Sequence, residues 1–311
     1  VLSDIRMVGG GYPATWHPEL GYAPSPGTRG RDNAWGKLVS IDADGLRKNG
    51  GTPMAGPAIL AVGDSFVFGD EVEDRSTWPA ALERRLGRRV LNGGVFGYGL
   101  DQIVLRAEDL LASHDVGTLV VSVIPDDISR CEYAFRFAHK PWFDIEGASL
   151  TLHNVPTPRP GDPPPGDSAP WRLLQRSALL EWVIHRLDPV GRPVRGSVRV
   201  HRNGALVSVA LIERLATHAR AAGHDLLFVA AWHPGADMER LDAARRRAIE
   251  LGVPVLDLEP VLTRAIEERG GDWSGLVHAV ERGGGTQPGH MTPLGNGLVA
   301  DTIATRLPGR L

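Results

Sequence analysis

The chain has 311 residues, of which 42% are hydrophobic and 23% charged, with a formal net charge of −3. That length suits one large domain, or one domain with an appendage, at about 150 residues per domain. The near-balance of charge and the lack of a Lys/Arg block argue against nucleic acid as a partner, and no apolar run approaches the ~18 residues of a membrane span. A single cysteine, Cys131, excludes an internal disulfide but leaves the compartment open. The sequence starts at Val1, so an extracytoplasmic location is the expectation if an upstream signal or anchor was removed.

Residues 1–57 are rich in Gly and Pro and carry little periodicity. Only Lys37-Leu38-Val39-Ser40-Ile41 alternates like a short strand, and Asp42 to Gly51 reads as turns. This predicts an N-terminal extension packed on a main domain spanning 58–311. Ala58-Ile59-Leu60-Ala61-Val62 is a continuous apolar run, as expected of a strand buried on both faces. Helical spacing follows from Trp78 to Leu86, with Thr77 or Ser76 as N-cap. Arg89-Val90-Leu91 predicts a short strand, Leu100 to Leu111 an amphipathic helix, and Leu119 to Ile124 a third buried strand.

The rhythm breaks at about 125–170, which reads as an insertion. Phe135, Phe137, Trp142, Phe143 and Leu150 to Val155 predict a peripheral hairpin, and Pro156 to Pro170 a proline-dense loop. These aromatics serve either as plain core or as apolar contacts for a substrate. Trp171 to Leu187 predicts a helix, with a Pro/Gly/Arg-rich connection at 188–200. Regular alternation then resumes: helix from Leu206 to Ala222, strand from Asp225 to Ala231, helix from Met238 to Leu251, strand from Val253 to Leu258. Helices near 260–268 and 293–306 complete the chain. The pattern predicts an α/β fold: a doubly wound, parallel five-stranded sheet with helices on both faces, a flavodoxin-like three-layer sandwich.

Ligands of such sheets bind at the carboxyl ends of the strands, so the residues after each apolar run matter most. Gly63-Asp64-Ser65 follows the first strand, where Ser65 is either a helix cap or a hydroxyl exposed for chemistry. Asn92 to Gly99 follows the second, a glycine-rich turn whose N–H groups can approach a ligand. Pro125-Asp126-Asp127 follows the third, with carboxylates that either cap a helix or face the same edge. His290 precedes the last helix, as an exposed loop residue or as a base reaching over the sheet edge.

Together these pieces, Gly63-Asp64-Ser65, Asn92 through Gly97, Pro125-Asp126-Asp127-Ile128 and His290, resemble the SGNH/GDSL hydrolases over about residues 58–306. His17-Pro18-Glu19-Leu20-Gly21-Tyr22 and Asp44-Gly45-Leu46-Arg47 are similar to bacterial members with an N-terminal extension. The resemblance implies Ser65 as nucleophile, His290 as general base, and the N–H groups of Ser65 and Gly97 as oxyanion donors. Asp64, Asn92 and Asp127 would support them.

The chain departs from the family pattern at two positions. An aspartate is expected three residues before the histidine, where Gln287 stands and would accept the imidazole N–H; Asp257 and Asp272 are other acids for that role. An asparagine donor is expected in the third block, where Asp126 stands and, ionised, has no proton to donate. The implied activity is hydrolysis of an O-acyl ester of a small molecule or glycan through an acyl-serine, slowed by these departures. Alternatives are an O-acyltransferase on a glycan or secondary metabolite and a binding protein that has lost turnover. No cofactor is implied, and the eleven histidines lack zinc-type spacing.

Overall fold

The computed structural model describes residues 13–31, 36–51, 55–147, 149–164, 193–194, 197–282 and 285–307. The helix expected at 171–187 lies outside them, as does most of the connection at 188–200. Five strands build the central sheet: β1 (Ala58–Val62), β2 (Val90–Asn92), β3 (Val116–Val123), β4 (Asp225–Ala230) and β5 (Val255–Asp257). All pair in parallel, in the order β2-β1-β3-β4-β5. This is the predicted doubly wound, flavodoxin-like order.

Strand periodicity explains why the runs are apolar throughout. Ala58, Leu60 and Val62 of β1 face one core, while Ile59 and Ala61 face the other. Phe228 and Ala230 of β4 point to the first core, and Leu227 and Val229 to the second. A side-chain period of two on a sheet covered on both faces demands hydrophobes at every position.

The covering helices divide between the same two cores. Helices α1 (Ser65–Phe68), α2 (Trp78–Leu86), α3 (Leu100–Ser113), α4 (Pro125–Arg130), α5 (Gly204–Ala221), α6 (Asp242–Glu250), α7 (Glu259–Glu267) and α8 (Pro293–Ala304) follow in chain order. Helices α3, α5 and α6 bury apolar residues in the first core, and α2, α7 and α8 in the second. Thr77 caps α2, its hydroxyl accepting the Ala80 N–H at 3.2 Å. The helix expected from Met238 begins as a 3₁₀ turn at Met238–Leu241 before α6.

The N-terminal segment holds more structure than its sequence pattern announces. Two hairpins pair 14–17 with 21–24 and 29–31 with 38–40. Tyr22 anchors the first, donating its hydroxyl to Phe96 O at 2.8 Å and stacking on the Phe96 ring. At the end of the segment, the Arg47 N–H donates to Asn92 O at 3.0 Å and bridges the outer edge of β2.

Within the insertion, Trp142–Glu146 pairs with Ser149–His153 as the expected hairpin, and 133–136 and 138–139 form a small sheet with 193–194 and 197–199 of the later connection. One further hairpin, 277–282 with 285–291, was not expected. Its second strand contains Gly285, Pro288 and Gly289, residue types that weaken a strand signal. That hairpin delivers His290.

Candidate active site

The site forms at the carboxyl ends of β1 and β3, where the strand order reverses. Beyond β1 the chain must turn sharply at Gly63. A Cβ there would lie 2.3 Å from Val67 Cγ2 and 2.5 Å from Ser122 O, so only glycine fits. Asp64, rather than Ser65, is the helix cap: its Oδ1 accepts the Phe66 N–H at 3.0 Å. Ser65 thereby becomes the first helical residue, its hydroxyl left for other partners. A similar steric demand holds the neighbouring loop close, since a Cβ on Gly94 would lie 2.3 Å from Phe68 N. The Val95 N–H fixes that loop to Gly63 O at 3.0 Å.

His290 Nε2 lies 2.9 Å from Ser65 Oγ, and its Nδ1 lies 2.8 Å from Glu71 Oε1. The same carboxylate oxygen accepts the His290 backbone N–H at 3.3 Å. A neutral imidazole with its proton on Nδ1 satisfies both contacts, donating to Glu71 and accepting from Ser65. Asp64 Oδ2 is a second acceptor for the serine hydroxyl, at 3.3 Å. One proton serves one acceptor at a time, and the imidazole is the closer.

Burial acts to lower the His290 pKa. The Glu71 hydrogen bond and the charges of Asp70, Glu71 and Asp64 outweigh it and hold the imidazole above its ordinary value. Glu71 shifts the other way. Burial pushes it up, but the hydrogen bond and charge of His290 prevail and keep it below the usual glutamate value. Phe66 lies against both His290 and His233, with ring centroids 4.9 and 5.7 Å away.

A second cluster lies deeper. Arg130 Nη1 donates to Asp127 Oδ1 at 2.7 Å, to Asp64 Oδ2 at 3.0 Å and to Tyr98 O at 2.9 Å. Asp127 Oδ2 accepts the Ile124 N–H at 2.9 Å and closes the first turn of α4. Burial and the Asp64 charge push the Asp127 carboxyl well up, against the pull of Arg130. The Arg130 guanidinium is held charged: burial opposes its charge, and Asp127 and Asp64 more than offset that. Beside this cluster opens a groove of about 410 Å³ whose lining includes Arg130, Tyr133, Arg136 and Phe137.

The structure thus brings Ser65, His290, Asp64 and Asp127 into one neighbourhood and places Gln287, Asp257 and Asp272 away from the imidazole. Gln287 does not meet the imidazole. It is exposed on the 285–291 strand, opposite Val280, and Glu71 occupies the Nδ1 side instead. Asp257 binds Arg245 at 2.7 Å, and Asp272 caps the Ser274 N–H at 2.8 Å. Asp126 is not aimed at an oxyanion from a desolvated site: its side chain is 63% exposed and 3.8 Å from Arg130 Nη2.

Asn92 acts on backbone, accepting the Gly94 N–H at 3.1 Å and donating to Phe68 O at 3.4 Å. Gly97 turns its carbonyl to Arg136 Nη1 at 3.3 Å. Neither its N–H nor that of Ser65 has a protein acceptor among the described residues. Of the four insertion aromatics, Phe143 is fully buried core and Trp142 stacks on His153 at 4.2 Å. Phe137 lines the groove.

Sequence reasoning missed Glu71 and Arg130. The available signal for Glu71 was the pair Asp70-Glu71 after the apolar run Phe66-Val67-Phe68, on the exit of the turn that carries the serine.

Fold and site together define a doubly wound α/β protein with a serine, an imidazole and a carboxylate in hydrogen-bonded series at the sheet edge. No family model matches the chain, and no curated protein matches it. Its fold is similar to that of several solved structures. One is a putative lipolytic protein of the G-D-S-L family from Desulfitobacterium hafniense DCB-2, at 15% identity over 81% of this chain and 100% of that one, with a TM-score of 0.46. TesA matches at 16% identity over 81% and 98%, with a TM-score of 0.44. Axe2, an acetylxylan esterase from Geobacillus stearothermophilus, matches at 12% identity over 82% and 96%, with a TM-score of 0.46. No helix among the described residues is long and apolar enough to cross a membrane.

Proposed function

We propose that the protein is a serine hydrolase of the SGNH/GDSL type that cleaves an O-acyl ester through an acyl-serine intermediate. The observation that carries this reading is His290 standing between Ser65 Oγ at 2.9 Å and Glu71 Oε1 at 2.8 Å. An unassisted serine hydroxyl is a poor nucleophile, and a neutral imidazole within hydrogen-bond reach takes its proton as the new C–O bond forms. Glu71 fixes the tautomer and stabilises the imidazolium that results. His290 then returns the proton to the leaving alkoxide, and water repeats the sequence to release the acid.

The developing oxyanion falls to the backbone N–H groups of Ser65 and Gly97. Asp126 takes no part in this. Glu71 supplies the charge that Gln287 lacks, so the slow turnover implied by Gln287 gives way to turnover of ordinary scale. The groove beside Arg130 and Phe137 receives the remainder of a small-molecule or glycan ester.

The test is hydrolysis of p-nitrophenyl acetate by the wild type, Ser65→Ala and His290→Ala. Both variants are expected to lose turnover while keeping the wild-type melting temperature within a few degrees. Equal rates in Ser65→Ala and wild type contradict the reading.

A further inference from the structure

Arg47 belongs to the N-terminal extension, yet its guanidinium is buried beneath the loop that carries Glu71. The Asp42–Arg47 turn places it there. Asp42 Oδ1 accepts the N–H groups of Asp44 and Leu46 at 2.9 Å each, and the Asp42 N–H donates to Leu46 O at 2.9 Å. The next N–H, that of Arg47, is anchored on Asn92 O at the edge of β2. From this fixed backbone the side chain reaches across to residues 68–74.

Its donors bracket Glu71. Arg47 Nη1 donates to Phe68 O at 2.8 Å and to Gly69 O, both ahead of Glu71. Past it, Nη2 donates to Val72 O at 2.7 Å and Nε to Asp74 Oδ1 at 3.2 Å. The guanidinium also lies over the Phe68 ring, 4.9 Å from its centroid. Between these fixed points Glu71 has a φ of +67°, a left-handed conformation that a residue with a Cβ keeps only where its surroundings impose it. In this conformation the Glu71 carboxylate meets His290 Nδ1 at 2.8 Å.

We propose that Arg47 is a positioning residue for the Ser65–His290–Glu71 series, locking the 68–74 loop in the conformation that aims Glu71 at His290. This rests on the hydrolase reading above. It makes the N-terminal extension part of the catalytic apparatus rather than a cover. The four acceptors around Glu71 are met by three different nitrogens of the Arg47 fork, a spread that the single nitrogen of a lysine ammonium does not reproduce.

The test compares wild type, Arg47→Lys, Arg47→Met, Glu71→Gln and the Arg47→Met/Glu71→Gln double variant on p-nitrophenyl acetate. Proton NMR of protein labelled at histidine with nitrogen-15 follows the low-field His290 Nδ1–H resonance. Arg47→Met is expected to lower kcat by at least about tenfold with KM within about twofold, and to weaken or shift that resonance. Arg47→Lys should recover little of the loss. In the Glu71→Gln background, Arg47→Met should cost almost nothing further, because the group it positions is already gone.

A purely structural role would lower the melting temperature while leaving kcat per folded molecule and the resonance unchanged, and would overturn the proposal. So would losses that multiply in the double variant. Should Arg47→Met fail to fold, Arg47→Lys and Asp74→Asn, which removes the charge from the oxygen that accepts both Arg47 Nε and the Ser40 N–H, carry the same comparison. A wild-type rate in Glu71→Gln overturns the role of Glu71 and that of Arg47 with it, whereas a wild-type rate in Ser65→Ala overturns the hydrolase reading itself. A loss in Glu71→Gln beside an unaffected Arg47→Lys overturns only the role of Arg47.

Discussion

Two charged clusters meet at the end of β1, and the consecutive residues Asp64 and Ser65 belong one to each. Toward the surface, the partly exposed His290 bridges Ser65 and Glu71. Inward, Arg130 is fastened to Asp64, Asp127 and Tyr98 O. Both join carboxylates to a nitrogen base. They differ in whether that base releases a proton near neutral pH. An imidazole does, and a guanidinium does not. The first cluster is therefore equipped to move a proton, while the second holds charge and geometry for it.

Removing one charged partner from each cluster should show that difference, and the largest effect belongs to the first. Glu71→Gln is expected to lower kcat by about 10⁴-fold, the scale seen when a triad aspartate becomes an amide. The pH dependence has a definite sign. Burial lowers the His290 pKa, and Glu71 with the neighbouring acids raises it above the ordinary value. A general base must be neutral, so the wild-type rate declines as pH falls through that raised pKa. Glu71→Gln removes one raising charge, and the acid limb of kcat/KM moves to lower pH. An acid limb that stays in place would break the assignment of Glu71 to His290.

Next comes the inner cluster, where the expected loss is in stability. Arg130→Met leaves the carboxylates of Asp64 and Asp127 buried without their cation, a change that costs about 3–5 kcal/mol. Urea denaturation measures it. A loss below about 1 kcal/mol would mean that Arg130 is not what stabilises the two acids.

The smallest effects should come from the acids and amides whose side chains face solvent. Asp126→Asn and Gln287→Asp each alter an exposed side chain, so stability should stay within about 0.5 kcal/mol and kcat within about twofold, with any effect of Asp126, which lines the groove beside Arg130, falling on KM. A gain in kcat for Gln287→Asp, read at neutral pH, would reinstate that position as the partner of His290.

The same contrast explains what the sequence made legible. Strands β1, β3 and β4 were readable because burial on both faces forces an unbroken apolar run. Ser65 and His290 were readable because a glycine-led turn and a helix entry mark their positions in the chain. Glu71 was hidden, since its role depends on a left-handed φ that no residue type announces at a glutamate. Arg47 was hidden for a related reason: most of its partners are backbone carbonyls, which leave no mark in a sequence. Asp126 and Asp127 were indistinguishable as letters. Consecutive helical residues point about 100° apart, so one carboxylate enters the core and the other meets solvent.

The central claim is that Ser65 is a nucleophile activated by His290 and Glu71, and covalent labelling tests it most directly. A fluorophosphonate probe should add once to the wild-type protein, with the adduct mapped to Ser65 by mass spectrometry. Labelling should slow markedly in His290→Ala and Glu71→Gln, and vanish in Ser65→Ala. A wild-type protein that stays unlabelled, or a Ser65→Ala protein labelled as fast as wild type, would contradict the account.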